Sequence, residues 1–192
     1  TNINSFGAAA MAGCGAYSKI EGFAFLPITC FTQALATFVG QNLGARKYDR
    51  VKKGVAFGIG CAVSLAELIA VFSWVFALQL IGIFNDDPQV IDYGVRHMRT
   101  ICLFNFMLAF SHCMAAVMRG AGKATVPMFT MLACWCVIRV SYITVAVKLV
   151  NRLTTVSMAY PITWTLSSIV FLIYFLKADW IHNFDREKGK CA

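Results

Sequence analysis

The stretch GVAFGIGCAVSLAELIAVFSWVFALQLIGIF, residues 54–84, carries a single ionisable side chain, Glu67, in a long run of apolar and small residues. A helix needs about 20 such residues to cross the hydrocarbon of a bilayer, where every backbone polar group must be paired within the helix itself. Four more apolar stretches lie at 22–40, 100–117, 126–147 and 156–176, each set off by a short polar or charged break. The pattern predicts an all-α fold, a polytopic transmembrane helix bundle of about five spans.

Composition points the same way. With 59% hydrophobic residues, 14% charged residues and a mean hydropathy of +0.67, a soluble body of 192 residues would lack the polar surface to cover itself. The excess is expected to face the lipid bilayer. The chain opens on Thr1 and its first apolar stretch lacks the basic region, short core and cleavage site of a signal peptide. It reads as a fragment or partial chain, with a transmembrane lobe over 1–180 and a cytoplasmic tail over 181–192.

The net charge of +8 suggests nucleic acid until the cations are placed. Arg46, Lys47, Arg50, Lys52 and Lys53 fill the first break, Arg119 and Lys123 the third, and Lys177, Arg186, Lys188 and Lys190 the tail. The second break is acidic, with Asp86 and Asp87, and the fourth has only Lys148 and Arg152. Cations that alternate in this way follow the positive-inside rule. They predict a multi-pass protein of the cell membrane with breaks one and three and the C-terminus cytoplasmic, and no nucleic-acid partner.

Enzymatic and metal chemistry find no support. Seven cysteines (14, 30, 61, 102, 113, 134 and 136) lie in apolar segments as small hydrophobes, and Cys134-Trp135-Cys136 has no second pair or nearby histidine to complete a metal site. No metal or cofactor is therefore expected. Residues 120–125 resemble a phosphate loop only superficially, because Val117 and Ala124 stand where the loop needs glycine and Ser or Thr. His97, His112 and His182 have no matching nucleophile.

Punctuation places the helix ends. Residues 40–45 (GQNLGA) close the first span, residues 85–88 (NDDP) form a stop and restart, and Pro127 falls in a first turn. Pro27 and Pro161 lie inside or near helix starts, where they bend the axis or serve as hinges. Gly40/Gly44 and Gly54/Gly58 have the spacing of close helix contact, or of loop flexibility.

Polar residues inside the spans are the functional candidates. Thr29, Gln33 and Thr37 form one stripe, Asn105 and His112 nearly share a face, Arg139 has Trp135 and Tyr142 at helical neighbour spacing, and the last span carries Tyr160, Thr163, Trp164, Ser167 and Ser168. A charged side chain at the bilayer centre costs about 2.5–3.5 kcal/mol on insertion scales, so these groups should face the bundle interior or water. Gln33 and Asn105 either hydrogen-bond between helices or face a solute. Glu67 and Arg139 either line a polar cavity or are a buried pair or snorkelling side chains.

At these residues the chain resembles a known family. Residues 16–54 (AYSKIEGFAFLPITCFTQALATFVGQNLGARKYDRVKKG) closely resemble the eighth helix and following loop of the multidrug and toxic compound extrusion family. Residues 118–128 (MRGAGKATVPM), 135–142 (WCVIRVSY) and 159–175 (AYPITWTLSSIVFLIYF) are similar to the end of its tenth helix, its eleventh and its twelfth. The resemblance implies twelve helices in two six-helix lobes that export organic cations or other amphipaths in exchange for H+ or Na+. This chain would supply helices eight to twelve, most of one lobe, with the N-terminal lobe as its missing partner.

Sodium-coupled members carry acidic residues in this lobe, whereas no Asp or Glu stands between Tyr93 and Ala178 here. The resemblance therefore implies coupling to H+ rather than Na+, as in the branch named for a DNA-damage-inducible protein. The expected substrate-cavity residues are Gln33, Asn105, Arg139 and Tyr142, with Glu67 and Glu21 as coupling or polar-network residues. A lipid-linked oligosaccharide flippase of the same superfamily is the alternative, ahead of a membrane-embedded enzyme or structural subunit.

Overall fold

The computed structural model describes residues 7–149 and 153–177. The N-terminal half holds α1 (Ala8–Gly44), α2 (Tyr48–Val75), α3 (Ala77–Gly82), α4 (Pro88–Cys102) and α5 (Asn105–Gly120). The C-terminal half holds α6 (Thr125–Met131), a π-helical segment (Leu132–Ile138), α7 (Arg139–Leu149), α8 (Leu153–Ser157) and α9 (Ala159–Lys177). No strand occurs among the described residues. The tail 181–192, with Arg186, Lys188 and Lys190, lies outside them, as do residues 150–152 of the fourth break.

Four stretches are long and apolar enough to cross a membrane: Ala8–Gly44, Tyr48–Val75, Thr125–Ala146 and Thr155–Lys177. The pair α4 and α5, bent by 54° at a short break, passes the same test together and makes a fifth if the two are counted as one span. The expected bundle is present, but three of its boundaries differ. α1 begins at Ala8 rather than at 22, since Tyr17, Ser18 and Glu21 are polar residues that face other protein groups rather than ending the helix.

The stretch 54–84 is two helices, α2 and α3, separated at the turn residue Phe76, and α3 buries Ala77 and Ile81 completely in the core. The third apolar stretch starts inside α4. That helix is amphipathic, with Val90, Val95, Met98 and Ile101 buried and an exposed Asp92–Arg96 pair at 2.9 Å, so hydropathy alone hides its first half. Its start is the one the sequence predicts: Pro88 stands at the first helical position and the Asp87 carboxylate accepts the Gln89 N–H at 2.9 Å.

The core is packed as membrane bundles are, through small residues that let backbones approach. A Cβ on Gly13 would sit 2.6 Å from the Val90 carbonyl oxygen and 2.7 Å from the Gly94 nitrogen, so α1 and α4 touch backbone to backbone. On Gly120 it would sit 2.5 Å from the Ala36 oxygen, joining α5 to α1. Gly54 and Gly58 accommodate Phe38 and Leu35 of α1, whereas Gly44 meets nothing within 4 Å.

One core cluster joins Val39 and Leu43 of α1 to Val51 and Val55 of α2, Met114, Val117 and Met118 of α5, and Phe171 of α9. The end of α1, the start of α2 and the ends of α5 and α9 therefore meet at one end of the bundle. Breaks one and three and the end of the last described helix share that end. A second cluster, built on Tyr17, Ala77, Ile81, Met98 and Trp164, gathers the start of α1 with α3, α4 and the start of α9 at the other.

Candidate functional site

Arg139 opens α7 directly after the π-helical segment. A π turn holds one residue more than an α turn and re-aims the side chains that follow it. Trp135 lies within that segment, and the Arg139 guanidinium carbon stands 5.2 Å from its ring centroid and 4.5 Å from that of Tyr160 on α9. Two aromatic faces thus flank one permanent cation, each contact worth about 0.5–2 kcal/mol according to its desolvation.

Thr163, one turn after Tyr160, supplies the polar anchor. Its Oγ1 accepts from Nη2 at 2.7 Å and from Nε at 3.3 Å, while its own hydroxyl donates to the Ala159 and Tyr160 carbonyls at 2.9 and 3.0 Å. The guanidinium is therefore held by a neutral hydroxyl and two rings, with no carboxylate in direct contact among the described residues.

Around it opens a cleft of about 320 Å³ lined by Ser18, Glu21, Phe25, His112, Trp135, Arg139, Tyr160 and Trp164, with Gly22 and Leu108 completing the wall. The His112 ring meets Phe25 edge-on at 4.8 Å and Trp135 at 5.2 Å, and Tyr160 meets Trp164 at 5.9 Å. Glu21 accepts the Tyr17 hydroxyl at 3.3 Å. Beside the cleft, buried His97 and Ser157 share a 2.6 Å hydrogen bond that ties α4 to α8, with Tyr17 and Tyr160 edge-on to the imidazole. Two wall nitrogens, Trp135 Nε1 and His112 Nε2, are buried without a partner.

Of the four expected cavity residues and two expected coupling residues, the structure brings Arg139 and Glu21 to this cleft and leaves four elsewhere. Gln33 is exposed on α1, more than three turns from Glu21. Tyr142 is half-buried on α7 and is not part of the cleft wall.

Glu67 and Asn105 lie near the α4–α5 break instead: Asn105 opens α5, and the Glu67 carboxylate comes close to the backbone of the next residue, Phe106. The Glu67 Oε2 and the Asn105 Oδ1 are buried without a partner. Glu67 also borders a separate apolar hollow of about 180 Å³ with Trp74, Cys102 and Leu103.

Sequence reasoning noticed His112, Trp135, Tyr160 and Trp164 without assigning them to the cavity, and passed over Ser18 and Phe25. The available signal was helical spacing: Trp135 to Arg139, Tyr160 to Trp164, and Ser18, Glu21 and Phe25 along one face of α1.

The family model described as MatE matches residues 2–145. The chain is 29% identical over 130 residues to a probable multidrug resistance protein NorM of Thermotoga maritima, covering 67% of this chain and 28% of that protein. It is 27% identical over 84 residues to an FAD transporter of Shewanella oneidensis, covering 44% and 19%. The chain thus spans less than a third of either relative. Its fold matches the MATE transporter ClbM in complex with Rb+ at a TM-score of 0.87 and 22% identity, over 97% of this chain and 43% of that one.

Proposed function

Because the chain belongs to the MatE family, we propose that it forms one lobe of a secondary multidrug exporter, working by alternating access against a second lobe and exchanging organic cations or other amphipathic drugs for H+. The observation that carries this reading is the cleft: a fixed cation and a carboxylate, Arg139 and Glu21, among aromatic rings within a multi-pass bundle. A soluble enzyme has no use for such a group in a membrane span, whereas an amphipathic solute needs both the rings and the polar anchor. In this reading residues 1–180 are the membrane lobe and 181–192 its cytoplasmic tail.

Coupling to H+ is supported by the inventory of carboxylates. Exchange requires a titratable group whose protonation favours one of two states. Asp49 and Asp92 are exposed near the starts of α2 and α4, so Glu21 and Glu67 are the carboxylates deep in the described spans, and Glu21 is the one at the cleft. In proteoliposomes holding the full-length protein, an imposed pH gradient is expected to drive movement of at least one of two xanthene dyes, fluorescein or rhodamine 123. Na+ at constant membrane potential should have no effect. Dye movement that ignores the pH gradient, or that strictly requires Na+, would refute this coupling.

Orientation follows from the basic end. The cations of breaks one and three gather where α1, α2, α5 and α9 converge, and cytoplasmic loops carry the excess of Lys and Arg. Single cysteines at Lys47 and Asp87 in a cysteine-free background should differ in labelling by an impermeant thiol reagent. Position 87 is expected to label from outside intact cells and position 47 only after permeabilisation. The reverse order would invert the topology.

A further inference from the structure

The cleft's polar groups favour a ligand that brings an acceptor. Arg139 is charged at every cellular pH, and its hydrogen bonds to Thr163 use Nε and Nη2, so Nη1 remains for a ligand. The indole N–H of Trp135 can only donate, and it is buried in the wall without an acceptor. A buried donor left unpaired costs about 1–3 kcal/mol, a cost that an incoming acceptor removes. The wall's one carboxylate is Glu21, already receiving the Tyr17 hydroxyl.

A simple organic cation in this space would lie beside the fixed charge of Arg139 in a medium of low dielectric, where like charges repel far more strongly than in water. Only Glu21 would offset that repulsion.

The walls specify the rest of the ligand. Phe25, His112, Trp135, Tyr160 and Trp164 enclose about 320 Å³, near the lower bound of ordinary small-molecule pockets. That space accepts a planar ring system with one polar head.

We infer that the cleft holds planar aromatic ligands through an anionic acceptor group, a carboxylate, sulfonate or phosphate, set against Arg139 with the ring between the aromatic walls. This rests on the cleft being the solute site of the exporter, and it narrows the substrates from organic cations and other amphipaths to those carrying such a group, leaving out simple organic cations. A zwitterion fits as well, its ammonium turned to Glu21.

The test is equilibrium binding, followed by fluorescence anisotropy on the purified full-length protein. Fluorescein and rhodamine 123 share a xanthene ring, but the first is an anion and the second an esterified cation. Fluorescein is expected to bind at least tenfold more tightly. Arg139→Gln should weaken fluorescein at least tenfold without weakening rhodamine 123. Trp135→Phe, which keeps a ring and removes only the N–H, should weaken fluorescein severalfold, and Glu21→Gln should strengthen it.

Equal affinity for the two dyes, or their parallel loss in Arg139→Gln with Trp135→Phe silent, overturns the inference. The dye-transport assay separates this from the exporter reading. Movement driven by the pH gradient alongside fluorescein binding indifferent to Arg139 sinks the ligand class alone. Arg139-dependent fluorescein binding without any driven movement sinks transport alone.

Discussion

Gly120→Val is expected to remove most of the correctly folded protein, seen as loss of the monodisperse peak in fluorescence-detected size exclusion of the full-length protein. A Cβ there would lie 2.5 Å from the Ala36 carbonyl oxygen, 3.0 Å from the Val39 Cβ and 3.1 Å from the Ala36 carbonyl carbon. Two of these are backbone atoms in the interior of a long helix, so no side-chain rotation can make room. α1 and α5 would have to separate, loosening the packing of Val39, Leu43, Met114, Val117 and Met118. Overpacking a core costs about 1–3 kcal/mol even where side chains can yield.

Gly13→Val should behave alike, since its Cβ would meet the Val90 oxygen and the Gly94 nitrogen of α4. Gly15→Ala and Gly60→Ala, whose added methyl would meet nothing within 4 Å, serve as controls and should fold at least as well as the parent. A normal peak and unchanged melting temperature for Gly120→Val would show that the α1–α5 contact is not needed.

Arg139→Ala is expected to lower fluorescein export by the full-length protein at least tenfold while changing its membrane abundance less than twofold. The asymmetry follows from what the arginine leaves behind. Thr163 Oγ1 keeps its hydrogen bonds to the Ala159 and Tyr160 carbonyls, so no buried polar group loses its only partner. Truncation also removes a charge that is costly inside a span, which offsets the lost contacts with Trp135 and Tyr160. Abundance that falls in step with export, at unchanged transport per molecule, would make Arg139 a structural residue.

Legibility in the sequence followed the strength of the local signal. The NDDP run at 85–88 marked the start of α4 because a carboxylate cap and a proline at the first helical position act within a few residues of chain. The start of α1 was missed by almost four turns, because Tyr17 and Glu21 look like the end of an apolar run until each is seen to satisfy the other. Arg139 stood out as a charge in an apolar span, and Trp135 as its neighbour one turn away. Gln33 stood out for the same reason yet faces away from the core, since a stripe on a helix does not reveal which partner covers it.

Glu67 is the instructive case. A lone carboxylate in an apolar run suggested a polar cavity, a buried pair or a snorkelling side chain, and the structure sets it at the edge of an apolar hollow beside the α4–α5 break. That break has no proline or glycine at 103–104 to announce it.

By itself the sequence determined that this chain lives in a bilayer as helices, that it carries about five apolar stretches, and that its cations cluster by loop. Those properties depend on hydrocarbon excluding unpaired backbone and charge, a rule that acts on each segment separately. Only the tertiary structure decided which polar residues meet. Glu21, His112, Arg139 and Tyr160 come from four different helices, and their convergence depends on backbone contacts at Gly13, Gly94 and Gly120 and on the π-helical segment before Arg139. Such contacts depend on how helices rotate about and approach one another, which hydropathy does not encode because lipid and protein interior are equally apolar partners.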